Sequence, residues 1–508
     1  MSAGSSDFLQ LDIGDAPAGG RSDWLARELR RAIADGRLPV GSRLPATRVL
    51  AADLRVSRGV VTEAYQRLSE DGQLAGRGRG GTVVVAAPVT TKAAAAKTTG
   101  STPYAHRTAA PFGAPPGPDV FDALRAAPAR IDLSPGVPDL AAFPRAAWLR
   151  AERAVLADLP AAHFGYGDPR GAPALRTAVA NWLARNRGIR ADPDEVLIVA
   201  GTAQALGLIA QVLHRDGVRE IAVEDPGSLG ARQHLVHWGV GTPPVEVDEE
   251  GVRVDALRAS GARAVLLTPA HQFPTGVVLG GGRRRELMRW AADGGLIIED
   301  DYDAEHRYDR APVPALRSLL PEQVCYAGSV SKLLAPALRV GWLLAPPKYR
   351  EAFVEAKRFA DLGNAVLPQL VLARLMESGE LERGLRLVRR RHRRRRDAMI
   401  AAIGDGLPGA RVHGAAAGLH LTITFDPGAL DASDMDLAAA ALARGVKVHP
   451  LSWHSQRPAP PGLVLGYAAR TPGEIAEGVA AVGEALTGGG AGTGDRAGAG
   501  DRAGIRVR

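Results

Sequence analysis

Gly328-Ser-Val-Ser-Lys-Leu-Leu-Ala-Pro-Ala-Leu-Arg-Val-Gly341 is the stretch on which the reading of this chain turns. It sets the amine of Lys332 just after two hydroxyls, Ser329 and Ser331, and seven residues before the guanidinium of Arg339. Upstream, Leu296-Ile-Ile-Glu-Asp-Asp-Tyr302 reads as a buried strand ending in carboxylates and a phenol. An amine able to form an imine, hydroxyls and a guanidinium suited to a phosphate, and a carboxylate at a strand end together point to a site for pyridoxal phosphate.

Outward from that stretch, apolar runs alternate with helical periodicity. Val196–Ala200, Glu220–Glu224, Ala264–Thr268, Leu296–Glu299 and Val340–Leu344 read as buried strands, and Ala172–Arg187 and Arg283–Ala292 as amphipathic helices. The pattern predicts an α/β domain over residues 129–486 with a mostly parallel sheet, its ligand site at the carboxyl ends of the strands. His420–Thr424 and Leu463–Tyr467 suggest a small C-terminal α+β lobe, and 487–508, rich in Gly, Ala and charge, a disordered tail. Gly201-Thr-Ala203 follows one strand and opens a helix, so its N–H groups and the Thr202 hydroxyl are placed for a phosphate. Asp300 is suited to pair with a protonated pyridine nitrogen, Tyr302 to donate to the phenolic oxygen, and Ser329 and Arg339 to add phosphate contacts.

Residues 21–86 follow a different plan. Trp24, Leu25, Leu29 and Ile33 mark one amphipathic helix, Ala46–Leu54 a second, and Val60, Val61, Ala64, Tyr65 and Leu68 a third that Ser57 can cap. Leu74–Val85 then reads as a two-stranded wing with a glycine-rich, arginine-bearing tip. Three helices and a basic wing make a winged helix-turn-helix. The first turn of the third helix, with Ser57, Arg58 and Thr62, is placed to meet double-stranded DNA. Arg43 and Arg48 suit backbone phosphates, and Arg77 and Arg79 the adjoining groove. Residues 1–20 are expected to be a disordered tail. Residues 87–128, rich in Thr, Ala and Pro, are expected to be a tether with partial order near Phe112 and Phe121–Leu124.

Composition agrees with this plan. The 508 residues suffice for several domains, and a formal net charge of +8 permits a polyanionic partner. The single cysteine, Cys325, excludes an intrachain disulfide framework and a cysteine-based metal cluster. No basic start followed by an apolar core stands near Met1, and no run of about 20 apolar residues occurs. A soluble cytoplasmic protein is expected, with no membrane partner.

The N-terminal segment resembles the GntR-type winged helix domain through Leu38, Gly41, Leu44-Pro45, Arg48, Leu50-Ala51, Val56-Ser57-Arg58, Ala64-Tyr65 and Gly81-Thr82. The resemblance implies DNA contacts by Arg43, Arg48, Ser57 and Arg58, and places Thr82 in the wing. The large domain resembles fold-type I aminotransferases through Gly165–Gly171, Gly201–Leu206, Glu224–Gly227, Thr268–Gly276, Glu299–Glu305 and Gly328–Lys332. Joined, the two look like the MocR-type regulators, a GntR headpiece fused to an aminotransferase-like domain. That resemblance makes Lys332 the Schiff-base lysine, Asp300 the pyridine-nitrogen partner and Tyr302 the O3′ partner. It also implies a head-to-tail homodimer and a small amino compound as effector. Two departures stand out. Ser228 occupies the position where the family usually has a ring-stacking aromatic, with His234 and Trp238 downstream as substitutes. No arginine lies in Leu463-Val-Leu465, leaving Arg457 and Arg470 as carboxylate candidates.

The expected function is a pyridoxal-phosphate-dependent, DNA-binding transcriptional regulator in which the cofactor, or its aldimine with an amino compound, acts as effector. Vitamin B6 or amine metabolism is the expected target. The alternatives are an active aminotransferase with a DNA-binding or vestigial headpiece, and a DNA-binding protein with an inert enzyme domain. The run Arg389–Arg396 reads as a charged helix face, or as a second DNA-contacting surface.

Overall fold

The computed structural model describes residues 5–6, 8–17, 20–76, 81–86, 111–308, 313–426, 430 and 432–488. They fall in two compact units, one ending at His106 and the other beginning at Arg107.

The first unit is built on α1 (Arg21–Ala34), α2 (Thr47–Asp53) and α3 (Arg58–Glu70), followed by an antiparallel hairpin of β1 (Leu74–Gly76) and β2 (Thr82–Val84). The helices exist because each presents one apolar stripe to a shared core: Trp24, Leu25, Leu29 and Ile33 from α1, Leu50 from α2, Val61 and Leu68 from α3. The Tyr65 hydroxyl donates to the Pro45 carbonyl at 2.9 Å and pins α3 to the approach to α2. Gly41 N–H to Val84 O (2.8 Å) and Leu44 N–H to Thr82 O (2.9 Å) hold the wing against the same segment. Ser57 occupies the N-cap position of α3, but its side chain makes no capping bond, against expectation. The stretch expected to be a free N-terminal tail is partly folded: Leu11 is buried, with Ile13 packed beside it on the headpiece core.

The second unit centres on an eight-stranded sheet: β3 (Val196–Val199), β4 (Ala222–Asp225), β5 (Pro244–Asp248), β6 (Gly251–Val252), β7 (Ala264–Leu267), β8 (Leu296–Asp301), β9 (Val324–Ser329) and β10 (Gly341–Leu344). Their spatial order is β3-β10-β9-β8-β7-β4-β5-β6. Runs such as Val196-Leu-Ile-Val199 are buried at every position, because helices cover both faces. From β9 to β5 the strands pair in parallel, while β10 runs antiparallel to both neighbours. The carboxyl ends of β3, β9, β8, β7 and β4 therefore share one edge. A smaller antiparallel sheet, in the order β11 (Arg411–His413), β12 (His420–Thr424), β14 (Gly462–Gly466) and β13 (His449–Pro450), forms the C-terminal lobe.

The tether expected over 87–128 ends earlier than read. Residues 87–110 lie outside the described residues, but 111–128 fold onto the C-terminal lobe. Phe112 is buried and stacks on Trp453 with centroids 5.2 Å apart, and helix α4 (Val120–Ala126) buries Val120 and Leu124. Apolar anchoring outweighs the Pro- and Gly-rich composition around it. Residues 489–508 of the expected tail also lie outside the described residues.

The arginine-rich run sits in helix α7 (Glu380–Gly406), whose inward side carries Leu385, His392, Met399 and Ile403. Several of its arginines are keyed into the protein. Arg389 donates to Glu305 O, Arg391 and Arg395 pair with Asp139, and Arg396 donates to Ala415 O at 2.8 Å. Arg390, Arg393 and Arg394 remain on the exposed face. Among the described residues no helix is long and apolar enough to cross a membrane.

Candidate cofactor and DNA sites

The shared carboxyl edge of the large sheet opens into a cavity of about 490 Å³. Thr202 and Ala203 reach it from the start of helix α5 (Thr202–Arg215), Asp300 from the end of β8 and Tyr302 from just beyond it, Ser329 from the end of β9, and Ser331, Lys332 and Arg339 from the loop that follows. Gly201, the remaining expected contact, directly precedes α5. The sequence-predicted cofactor residues are thus brought together.

Each sits where its chemistry is useful. Lys332 Nζ donates to Gly136 O, and burial lowers its pKa while Asp303 and Asp300 pull it back up. An amine held this way is more readily deprotonated, as a nucleophile must be. Gly136, beside the ammonium, has φ +78°, a backbone conformation that favours glycine. Burial, then repulsion from Asp301 and Asp303, pushes Asp300 up to about 7, while Lys332 and the Thr202 hydroxyl pull it down. Its Oδ1 is buried without a hydrogen-bond partner. Tyr302 Oη lies 3.1 Å from both His271 O and His271 Nδ1, and burial keeps its hydroxyl protonated.

These features fit pyridoxal phosphate. The orphaned Asp300 Oδ1 is matched to a protonated ring nitrogen, and Gly201 forms a cradle with Arg339. At φ +81°, a Cβ on Gly201 would lie 3.3 Å from an Arg339 guanidinium nitrogen. The Arg339 guanidinium donates to Ala200 O, at the head of the same turn.

Sequence reasoning missed what supports this cradle. Lys357 is 0% exposed, and its ammonium donates to Gln204 Oε1 (2.9 Å), Asp361 (2.6 and 2.7 Å) and Asn364 Oδ1 (2.5 Å). Gln204 Oε1 also accepts from Ala200 N–H at 2.7 Å, and Asn364 Nδ2 donates to Arg339 O at 3.0 Å. One buried ammonium thus ties the Ala200–Thr202 turn to the backbone of Arg339. Lys357→Met is expected to weaken pyridoxal phosphate binding about tenfold or more. Binding of phosphate-free pyridoxal should stay unchanged, and titrating both against the variant checks it. Equal losses for the two ligands would mean that the network does not serve the phosphate.

The departures resolve in part. Ser228 lines the cavity as the N-cap of helix α6 (Leu229–His237), accepting from Ala231 N–H at 3.2 Å. Of the two substitutes, His234 lines the cavity, whereas Trp238 is exposed and does not. Neither carboxylate candidate lines it. Arg457 pairs with Asp225 at 2.9 Å, and Arg470 donates to Asp132 O at 3.2 Å and meets Glu474 at 3.4 Å. Phe121, His420, His449 and His454 are lining residues that carried no motif in the sequence.

In the headpiece Arg43, Arg48, Ser57, Arg58 and Thr62 are exposed, and Thr82 is half-buried at the start of β2. Arg58 Nε donates to Thr47 Oγ1 at 3.3 Å, which steadies the first turn of α3 against α2. The Thr62 hydroxyl donates to Arg58 O at 2.9 Å, leaving only its acceptor capacity. Arg77 and Arg79 lie outside the described residues.

Residues 129–482 match the family described as aminotransferase class I and II, and residues 22–84 the bacterial regulatory proteins of the gntR family. The HTH-type pyridoxine biosynthesis transcriptional regulator PdxR of Corynebacterium glutamicum is 32% identical over 87% of this chain and 91% of its own length. The chain belongs to the MocR-type GntR regulators. The probable rhizopine catabolism regulatory protein MocR of Rhizobium meliloti is likewise 32% identical, over 90% of this chain and 91% of its own length. The aminotransferase-like part of this MocR-type regulator superposes on LysN, the α-aminoadipate aminotransferase of Thermus thermophilus. The TM-score is 0.65 at 29% identity, covering 72% of this chain and 94% of that one. That structure holds N-(5′-phosphopyridoxyl)-L-leucine. The large unit of this regulator is accordingly a pyridoxal-phosphate-binding sensor domain.

Proposed function

We propose that this regulator controls transcription by admitting an effector amine in place of Lys332 at its cofactor site, freeing the lysine amine, and passing the change to its headpiece. The observation that carries the reading is the meeting of Lys332, Asp300 and Tyr302 in one cavity of a chain that also carries a winged helix. Bound pyridoxal phosphate supplies an aldehyde that exchanges amines and a ring that withdraws electrons. Lys332 holds or releases it, Asp300 pairs with the ring nitrogen, and Tyr302 donates to the phenolic oxygen. Thr202, Ser329, Ser331 and Arg339 surround its phosphate. Arg43, Arg48, Ser57, Arg58 and Thr62 meet the operator, with Arg77, Arg79 and Thr82 in the wing.

The working form is a cytoplasmic head-to-tail homodimer on paired half-sites, and the regulated genes serve vitamin B6 or amine metabolism. Pyridoxine biosynthesis in the name of one relative supports the first choice and rhizopine catabolism in another the second. Ligand control requires different affinities for two states of the protein. Operator binding followed by fluorescence anisotropy at fixed salt should shift on adding pyridoxal phosphate, and again on adding an amine effector. Identical curves throughout would exclude the switch.

A second reading, a working aminotransferase, is favoured by the same three residues. Steady consumption of an oxo-acid acceptor by the cofactor-loaded protein would establish it.

A further inference from the structure

Part of the cavity lining has a composition of its own. Phe121, Phe273, His420, His449 and His454 form it, edge to edge or stacked. Phe121 lies 5.6 Å from His449 with planes at 29°, His449 6.0 Å from His454 at 12°, and Phe273 4.9 Å from His454 and 5.0 Å from His420. The three histidines are almost fully buried. Burial lowers the pKa of His420 to about 3 and of His449 to about 4, and takes His454 well below 6.5, so all three are neutral at physiological pH.

The charges that face this wall are few. Behind His454 the half-buried Arg232 donates to Trp453 O at 2.8 Å and is drawn to Asp225, without lining the cavity. Asp132 is a half-buried carboxylate that accepts from Ser134 N–H at 2.9 Å. Arg125 stands at the mouth, with 71% of its side chain exposed and its charge offset by Asp122. Leu463, Val464 and Leu465 of β14 are buried and apolar. The remaining cations lining the cavity, Lys332 and Arg339, belong to the cofactor site.

A carboxylate taken into such a wall would lose its hydration without meeting a buried cation among the residues that line it, and aromatic faces are negative. The same faces attract an ammonium, and flat apolar groups stack on them. Two imidazole nitrogens of these residues, His449 Nδ1 and His454 Nε2, are buried without hydrogen-bond partners.

We infer that the effector is a primary amine without a carboxylate, carrying an aromatic ring or another flat, uncharged group that rests between Phe121, Phe273 and the His449–His454 pair. This deepens the reading of the site as an amine sensor and rests on it. It separates this chain from sensors of amino acids by the missing counter-charge, a property of the wall and not of the cofactor.

The test uses the full-length protein loaded with pyridoxal phosphate and matched probes: phenethylamine against phenylalanine, tyramine against tyrosine, histamine against histidine. Visible absorbance gives the half-saturating concentration of each. The amine of every pair is expected to bind at least about tenfold more tightly than its amino acid. Phe121→Ala should weaken phenethylamine about tenfold while leaving methylamine unchanged. A normal cofactor band with amino acids bound as well as amines overturns this inference alone, as does equal loss of phenethylamine and methylamine in the variant. Absence of any Lys332-dependent band in the wild-type protein overturns the sensor reading together with it.

Discussion

Lys332→Ala is expected to abolish the visible absorbance that the protein acquires on adding pyridoxal phosphate, and to weaken cofactor retention at least about a thousandfold. The geometry leaves little to replace this amine. Lys332 sits in the loop between β9 and β10, half-buried beside Gly136, with Asp303 and Asp300 as the acids acting on it. The remaining contacts, Asp300 to the ring and the Gly201–Arg339 cradle to the phosphate, are non-covalent and reversible. Lys332→Arg separates two roles of the lysine. It keeps a positive charge near Asp300 but offers no amine nucleophile, so the band should be lost in both variants. Absorbance before and after exhaustive dialysis checks this, and circular dichroism confirms that both variants fold. A retained band in either would place the capturing amine elsewhere. If the sensor reading holds, operator binding by the alanine variant should also lose its response to added amine.

Much of this site was legible because its residues come in short local motifs at strand ends. Gly201-Thr-Ala203, Glu299–Tyr302 and Ser329–Lys332 each need only one strand-to-loop transition, and a loop at the carboxyl edge delivers them together. What escaped depends on tertiary placement. The Gly341–Leu344 strand is apolar at each position, so nothing in it records that it runs against both neighbours. Phe121 belongs to a seven-residue helix, too short for a clear periodic signal, inside a Pro- and Gly-rich stretch. Lys357 is one polar residue on the helix Arg350–Asp361; only its meeting with Gln204 and Asn364 gives it a role. His449 and His454 flank a buried tryptophan in the C-terminal lobe, more than 100 residues from Lys332 in sequence. Ser57 had the right residue type for a cap, but its hydroxyl makes no bond to the helix.

Arg187→Met is expected to destabilise the large unit by about 3–5 kcal/mol, the cost of leaving a buried carboxylate without its partner. Arg187 is 1% exposed at the end of its helix. Its Nε donates to Asp301 Oδ2 and one terminal nitrogen to Val313 O at 2.5 Å, while the Tyr326 hydroxyl donates to the same Asp301 oxygen at 2.5 Å. Two more buried carboxyls stand nearby. Glu299 and Glu305 are pushed up to about 7, first by burial and then by Asp301, and Arg187 holds both lower than they would otherwise be. Because these folded-state values lie above the ordinary 4.5, the folded chain binds more protons than the unfolded one between those limits. The stability tied to them is complete below about pH 4.5 and is lost as pH rises through about 7. Removing Arg187 leaves Glu299 and Glu305 to face Asp301 without its offsetting charge as they ionise, so the deficit should be larger at pH 8 than at pH 6. Arg187→Lys should recover only part of it, since an ammonium cannot reproduce the planar fork that spans Asp301 and Val313 O. Urea unfolding at the two pH values measures this, and a variant within about 0.5 kcal/mol of the parent at both would refute it. The same strand carries Asp300 and leads directly into Tyr302, so this ion pair also sets where the cofactor's two ring partners lie. Arg187→Lys should therefore weaken cofactor binding even at temperatures where it remains folded.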